Sequence, residues 1–175
     1  MLSVFRDGSW ASSCGPLSDP RLVQALDAAS PFEWVPLLEM LDLMAAVSKV
    51  VGQPLILSEY EHAVGTITAS PVLSPLVEPL FRIFGARTFP MAFPRGWALL
   101  THGVADPKCW IDERASWVRF SGLPPELAQH PLLSPTLVAT LRAVVDSIVP
   151  GTQVWEDTTA DVLTIGVHSA AVRAG

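Results

Sequence analysis

Residues 30–52 carry the longest helical pattern in the sequence, and this stretch constrains the fold most. It reads SPFEWVPLLEMLDLMAAVSKVVG, and most of its side chains are apolar. At about 100° per residue, Glu39, Asp42 and Lys49 fall on one narrow stripe of the helix. A helix that is apolar around the rest of its circumference must be covered on several sides, by its own domain, by a partner or by a ligand.

Pro36 limits where this helix can be regular. Inside a helix that began at Pro31 it would remove a backbone hydrogen bond and crowd the preceding turn. We therefore expect a break near residues 34–36, a regular helix over 36–51 and Gly52 as its C-cap. The predicted helices at 75–84 and 135–148, or a second copy of the chain, would wrap it.

Composition excludes several classes of protein. The chain has 175 residues, which is typical of one domain, but only 16% of them are charged, and 16 are proline. The net charge of -6 argues against nucleic acid as a partner, since that binding needs clustered Lys and Arg. No stretch has the roughly 20 apolar residues of a transmembrane span. Two cysteines, Cys14 and Cys109, are too few for a disulfide scaffold, so we expect a cytoplasmic protein.

The order of elements predicts an α+β domain over residues 18–170, between an irregular arm at 1–17 and a tail at 171–175. N-terminal helices are followed by strand–strand–helix–strand–strand, the ββαββ order of a four-stranded antiparallel sheet packed on helices. The predicted helices cover 20–28, 36–51, 58–70, 75–84 and 134–148. The predicted strands cover 96–104, 115–121, 153–157 and 161–168, with a charged connection over 105–114. Trp117 and Arg119 alternate with their neighbours along the second strand, as in a half-buried strand. Along the last strand, Leu163, Ile165 and Val167 point one way.

The segments SPFEWVPL, VLSPLVEPLFRIFG, FPRGWALLTHG and RFSGLPPELA, with the late helix and closing hairpin, resemble a paralogous protein family of myxobacteria. That family is related in fold to TRAPP subunits and to 4-vinyl-reductase-associated domains. The resemblance implies helices over the sheet, a homodimer formed through helices, and in some relatives an apolar pocket for an acyl chain or an aromatic ligand. The acylated cysteine of the TRAPP relatives has no equivalent here, because Cys109 falls in the charged connection.

An aromatic set interleaved with prolines is the most suggestive candidate site. Core packing is the simpler interpretation, and a ligand pocket is the alternative, since pockets are mostly apolar with a few placed polar groups. Arg87 and Arg95 could contact an anionic head group or be ordinary surface cations. The candidate pocket residues are Trp34, Phe81, Phe84, Phe89, Phe93 and Trp97.

No catalytic or metal-binding constellation is evident in the sequence. The four histidines (His62, His102, His130 and His168) lack metal-ligand spacing, although His102 and His168 lie on predicted strands and could approach each other. Asp112 beside Cys109 would raise the pKa of the thiol and reduce its reactivity. We therefore expect no cofactor, no metal and no enzymatic activity.

Three functions remain open. The first is a non-enzymatic dimerising domain that binds a partner protein or an apolar small molecule. The alternative is a structural subunit of a larger assembly that docks through its apolar helices. The third is a metal- or haem-dependent enzyme or sensor, because a haem or metal would give His102 or His168 a role that they otherwise lack.

Overall fold

The computed structural model describes residues 36–69, 93–95, 97–98, 104–146, 151–157 and 163–168. These residues form an α+β arrangement of helices and one four-stranded antiparallel sheet, as predicted. The helices are α1 (Leu37–Val51), α2 (Gln53–Thr68), α3 (Pro125–Ala128) and α4 (Leu133–Asp146). The strands are β1 (Asp106–Ile111), β2 (Ser116–Ser121), β3 (Gln153–Glu156) and β4 (Leu163–His168).

Helix α1 follows the predicted pattern closely. It begins at Leu37 directly after Pro36, and it ends at Gly52, whose φ of 90° is a conformation that favours glycine. The backbone N–H of Gly52 donates to Ser48 O over 2.8 Å. Glu39, Asp42 and Lys49 are all exposed, as the stripe predicted.

Helix α2 begins earlier than predicted, at Gln53 instead of residue 58. Pro54 occupies the first turn, where its missing N–H removes no helical hydrogen bond. Gly52 therefore ends one helix and immediately precedes the next. In the described part of the chain α1 packs against α2, and α2 packs against α4, so α2 is the described helix that packs most extensively on α1.

The sheet has the strand order β1-β2-β4-β3, with every neighbouring pair antiparallel. Val118 and Ile165 are cross-strand partners with no exposed surface, and they mark the face that the helices cover. Leu163, Ile165 and Val167 are all buried on this core face, as the alternation along β4 predicted. The opposite side, which we call the outer face, carries the alternate residues of each strand.

The predicted strand over 96–104 is contradicted at residues 97–98, while residues 96 and 99–103 lie outside the described residues. Residues 93–95 and 97–98 are helical, and the first described strand is Asp106–Ile111, within the segment predicted as a charged connection. The charges misled the prediction because β1 is an edge strand: Lys108 is exposed on the outer face, while Cys109 faces the core. Pro107 is compatible with this position, since an edge strand leaves backbone groups unpaired.

The remaining elements match the predicted order. Strand β2 spans Ser116–Ser121, helix α4 begins one residue earlier than predicted, and β3 and β4 form the closing hairpin. Residues 18–35 and 70–92, including the predicted helices at 20–28 and 75–84, lie outside the described residues. None of the described helices is long and apolar enough to cross a membrane.

Candidate functional site

The aromatic set is only partly visible in the structure. Phe93 and Trp97 are buried, with ring centroids 5.9 Å apart, and both pack on Phe120 of β2 at 6.1 and 5.1 Å. Arg95, from the same short helical stretch, is exposed. The other candidates, Trp34, Phe81, Phe84, Phe89 and Arg87, lie outside the described residues, so the pocket that they would complete stays a prediction.

A chain of hydroxyl groups lies between α2 and α4. The Thr140 hydroxyl donates to Thr136 O over 2.8 Å, so the Tyr60 hydroxyl is the donor in its 3.2 Å contact with Thr140 Oγ1. Tyr60 is 4% exposed, and burial raises the pKa of its hydroxyl. Thr136 is 2% exposed, and its own hydroxyl has no hydrogen-bond partner among the described residues. Such a group is costly to bury unless a water or a ligand meets it.

The solvent-facing side of the same two helices forms an open groove of about 930 Å³. Leu57 and Val138 are among the residues that line the groove. Glu61 and Arg142 also line it and form an ion pair, with Arg142 Nη1 3.2 Å from Glu61 Oε2. His62 also lines the groove and is exposed. Tyr60 lies on the buried side of α2 and does not line the groove.

Three of the four histidines are described, and none of them faces the core with a free nitrogen. His130 accepts the backbone N–H of Leu132 at Nδ1 over 3.2 Å, and its Nε2 lies 3.4 Å from Asp42 Oδ1. His168 Nδ1 donates to Arg114 O over 3.0 Å, at the end of β4 on the outer face. His102 lies outside the described residues, so its predicted approach to His168 stays a prediction.

Asp112 organises the turn between β1 and β2. Its carboxylate accepts the backbone N–H groups of Ala115 (2.9 Å) and Arg114 (2.8 Å) and the indole N–H of Trp117 (2.8 Å). These bonds, that of Ala115 most of all, hold the pKa of Asp112 below its usual value. The carboxylate is therefore a structural acceptor and not an acid that acts on Cys109.

Cys109 is half-buried on β1, where it faces Val118 across the strand pair. Burial raises the pKa of its thiol to about 12. The sequence had suggested the nearby carboxylate of Asp112 as the cause, which is wrong. At this pKa the thiol stays protonated at neutral pH, so it is a poor nucleophile and a poor metal ligand. Within the described residues, no group of three or more His, Cys, Asp or Glu side chains could hold a metal ion.

The outer face of the sheet carries an aromatic row that sequence reasoning missed. Trp110, Trp117, Gly166 and Trp155 are cross-strand partners on four successive strands, β1, β2, β4 and β3. We call these four residues the tryptophan row. Trp110 stacks on Trp117 at 6.1 Å, and Trp155 meets Trp117 edge-on at 5.6 Å. The alternation in β2 predicted that Trp117 lies on this face. The pairing of Trp117 with residues of the other strands cannot be inferred from the sequence.

Neither a protein-family profile nor a curated protein matches this chain. Solved structures do match it over nearly its whole length. A structure from work on haem redox potential and protein-induced porphyrin distortion aligns with a TM-score of 0.56 at 13% identity, over 97% of this chain and 90% of that one. A Cs H-NOX mutant with an unnatural amino acid aligns with a TM-score of 0.53 at 14% identity, over 96% of each chain.

A mutant of the H-NOX protein of T. Tengcongensis aligns with a TM-score of 0.52 at 10% identity, over 97% of this chain and 93% of that one. The chain has the H-NOX fold. The predicted kinship with TRAPP subunits and 4-vinyl-reductase-associated domains is therefore wrong. Both folds place helices on an antiparallel sheet, and the order of predicted elements did not distinguish them.

The first predicted function, a non-enzymatic dimerising domain that binds a partner protein or an apolar small molecule, is contradicted by this match to the H-NOX fold. The predicted cytoplasmic location and the predicted partner contact stay predictions.

Proposed function

We propose that this chain is a haem-binding sensor domain without an enzymatic reaction of its own. The observation that carries the proposal is the match to the H-NOX fold, which covers nearly all of this chain and nearly all of the solved structures. At identities of 10 to 14%, the match concerns the fold alone. The proposal therefore also requires that this chain's own residues be compatible with haem.

The buried interface of α2 and α4 is compatible with a ligand site. Its walls are apolar, yet it holds the Tyr60–Thr140 hydroxyl pair and the Thr136 hydroxyl, which no described residue meets. The polarity and the donors beside a haem decide which small ligands its iron binds. We propose that Tyr60, Thr136 and Thr140 set this polarity, with the Thr136 hydroxyl as the group that is available to a ligand or to a water.

For haem binding, a residue that can bind the iron is a stricter requirement than a polar group near the ligand. Haem iron takes a neutral imidazole, a thiolate, a thioether or a phenolate from the protein. His130 uses both ring nitrogens, and the thiol of Cys109, with its pKa of about 12, does not ionise readily. His62 and His168 lie on the outer sides of the helices and of the sheet.

We propose His102, the remaining histidine, as the imidazole that would bind the iron. In the sequence this residue lies between the helical residues 97–98, whose Trp97 is buried against the sheet, and strand β1. A bound haem would supply an iron centre for a small ligand such as a diatomic gas. The chain's own contribution would be the imidazole that holds the iron and the α2–α4 hydroxyl groups as polar partners for a small ligand.

Haem titration of the purified full-length chain tests the proposal. We expect one equivalent of haem to give a Soret band, and we expect His102→Ala to abolish or shift it, with recovery on adding imidazole. His62→Ala and His168→Ala are matched controls that should leave the spectrum unchanged, and circular dichroism checks that each variant folds. A wild-type chain that binds no stoichiometric haem, or three histidine variants that bind it equally well, would overturn the proposal.

A further inference from the structure

Two like charges lie side by side on the outer face of the sheet. Lys108 and Arg119 are direct cross-strand partners, and both are exposed. Like charges directly opposite each other destabilise an antiparallel pair. Among the described residues neither forms an ion pair, and Asp106, the nearest acid along β1, is opposite Ser121. The Arg119 guanidinium instead lies over the Trp110 ring, 5.0 Å from its centroid.

The tryptophan row runs beside these two cations on the same face. Gly166 leaves room for the indole of Trp155 close to the strand, and Trp117 is 4% exposed between its two neighbours. Trp110 and Trp155 keep part of their surface in contact with solvent. Among the described helices, α4 makes the main contact with the sheet, at strand β3.

We propose that this face, defined by Lys108, Trp110, Arg119 and Trp155, is a docking surface for an acidic segment of a partner protein. Partner carboxylates would offset the Lys108–Arg119 repulsion, and an arginine stacked on a tryptophan is a composition typical of interface hot spots. The chain as a whole carries a net charge of -6, so a cationic patch on it attracts an acidic partner locally while the remaining surface repels it.

The shape of the surface favours a polypeptide over a small anion. The four residues lie on a sheet face and do not line the groove between α2 and α4, and the adjacent Lys108 and Arg119 offer two neighbouring cations to an extended acidic segment. This docking surface lies on the outer face of the sheet, whereas Tyr60 belongs to the core on the other face, and the test of the surface does not depend on haem.

The probe is a fluorescein-labelled synthetic peptide of alternating Glu and Leu, titrated with the full-length chain and followed by fluorescence anisotropy. We expect saturable binding that weakens as salt is added, because exposed charge pairs are screened. Lys108→Gln combined with Arg119→Gln should weaken binding about tenfold, in line with two exposed charge contacts. Lys49→Gln combined with Arg142→Gln removes the same charge from the helices and should leave binding unchanged.

A peptide that does not bind, or one that loses affinity equally in both double variants, would overturn the proposal. So would binding of phosphatidylserine vesicles through Lys108 and Arg119 without binding of the peptide, since the surface would then serve a membrane. If the double variant at residues 108 and 119 unfolds, Arg119→Gln alone, with its melting temperature measured alongside, provides the same comparison.

Discussion

The indole of Trp155 lies so close to Gly166 that a Cβ built on the glycine would stand 2.4 Å from Cζ2 of Trp155 and 3.0 Å from Cζ3 of Trp117. The missing side chain of Gly166 is therefore what lets the tryptophan row close across all four strands. Here glycine is required by a close approach of rings and not by its backbone conformation.

Gly166→Ala should destabilise the fold by about 1–3 kcal/mol, because the added methyl group overlaps two indole rings that cannot both move away. Urea unfolding measures this change. Gly65→Ala is the control, since a Cβ on Gly65 meets nothing within 4 Å and alanine favours the interior of α2, so that variant should gain up to about 1 kcal/mol. A loss at Gly65 as large as that at Gly166 would contradict the explanation.

Much of the fold could be predicted because local patterns determined it. Pro36 and Gly52 bound α1, and the alternation of Leu163, Ile165 and Val167 set the core face of β4. Strand β1 could not be recognised, because an edge strand with Asp106 and Lys108 on its outer face has the composition of a loop.

The sites were harder to predict because they depend on distant contacts. Tyr60 and Thr140 are 80 positions apart, and nothing near either residue indicates the other. The tryptophan row likewise needs the register of three strand pairs, which no single segment encodes. A tryptophan in each of three of the four described strands was the signal that could have suggested it.

Thr136→Val should leave the haem-free chain as stable as the wild type, or more stable by about 1 kcal/mol, because it removes a buried hydroxyl that no described residue satisfies. Tyr60→Phe should instead cost about 1 kcal/mol, since it deletes the donor to Thr140 and leaves the ring in place. Thermal and urea unfolding of the two variants give the comparison. Equal losses in both would mean that Thr136 already has a bound water or another partner.

Cys109 should react slowly with iodoacetamide in the folded chain. With a pKa of about 12 instead of about 8.5, the thiolate fraction at pH 8 falls on the order of a thousandfold. Measurement in a Cys14→Ser background isolates this thiol, and unfolding in urea should restore the ordinary rate. A fast reaction under native conditions would contradict the burial of Cys109 against Val118.

The Asp112 turn should make stability depend on pH in the acid range. Hydrogen bonds from Ala115, Arg114 and Trp117 hold the pKa of Asp112 below its unfolded value of about 3.9. The stabilisation is therefore fully present above that value and is lost as the pH falls through the folded pKa.

Urea midpoints of the wild type and of Asp112→Asn, measured from about pH 6 to about pH 2.5, test this dependence. The wild type should be more stable by a constant margin at the upper end, and the margin should shrink as the carboxyl group protonates. Glu113→Gln is the matched control, because Glu113 is exposed and no described residue donates to its carboxylate. If Glu113→Gln flattened the profile as much as Asp112→Asn, general charge repulsion and not the three donors to Asp112 would explain the acid sensitivity.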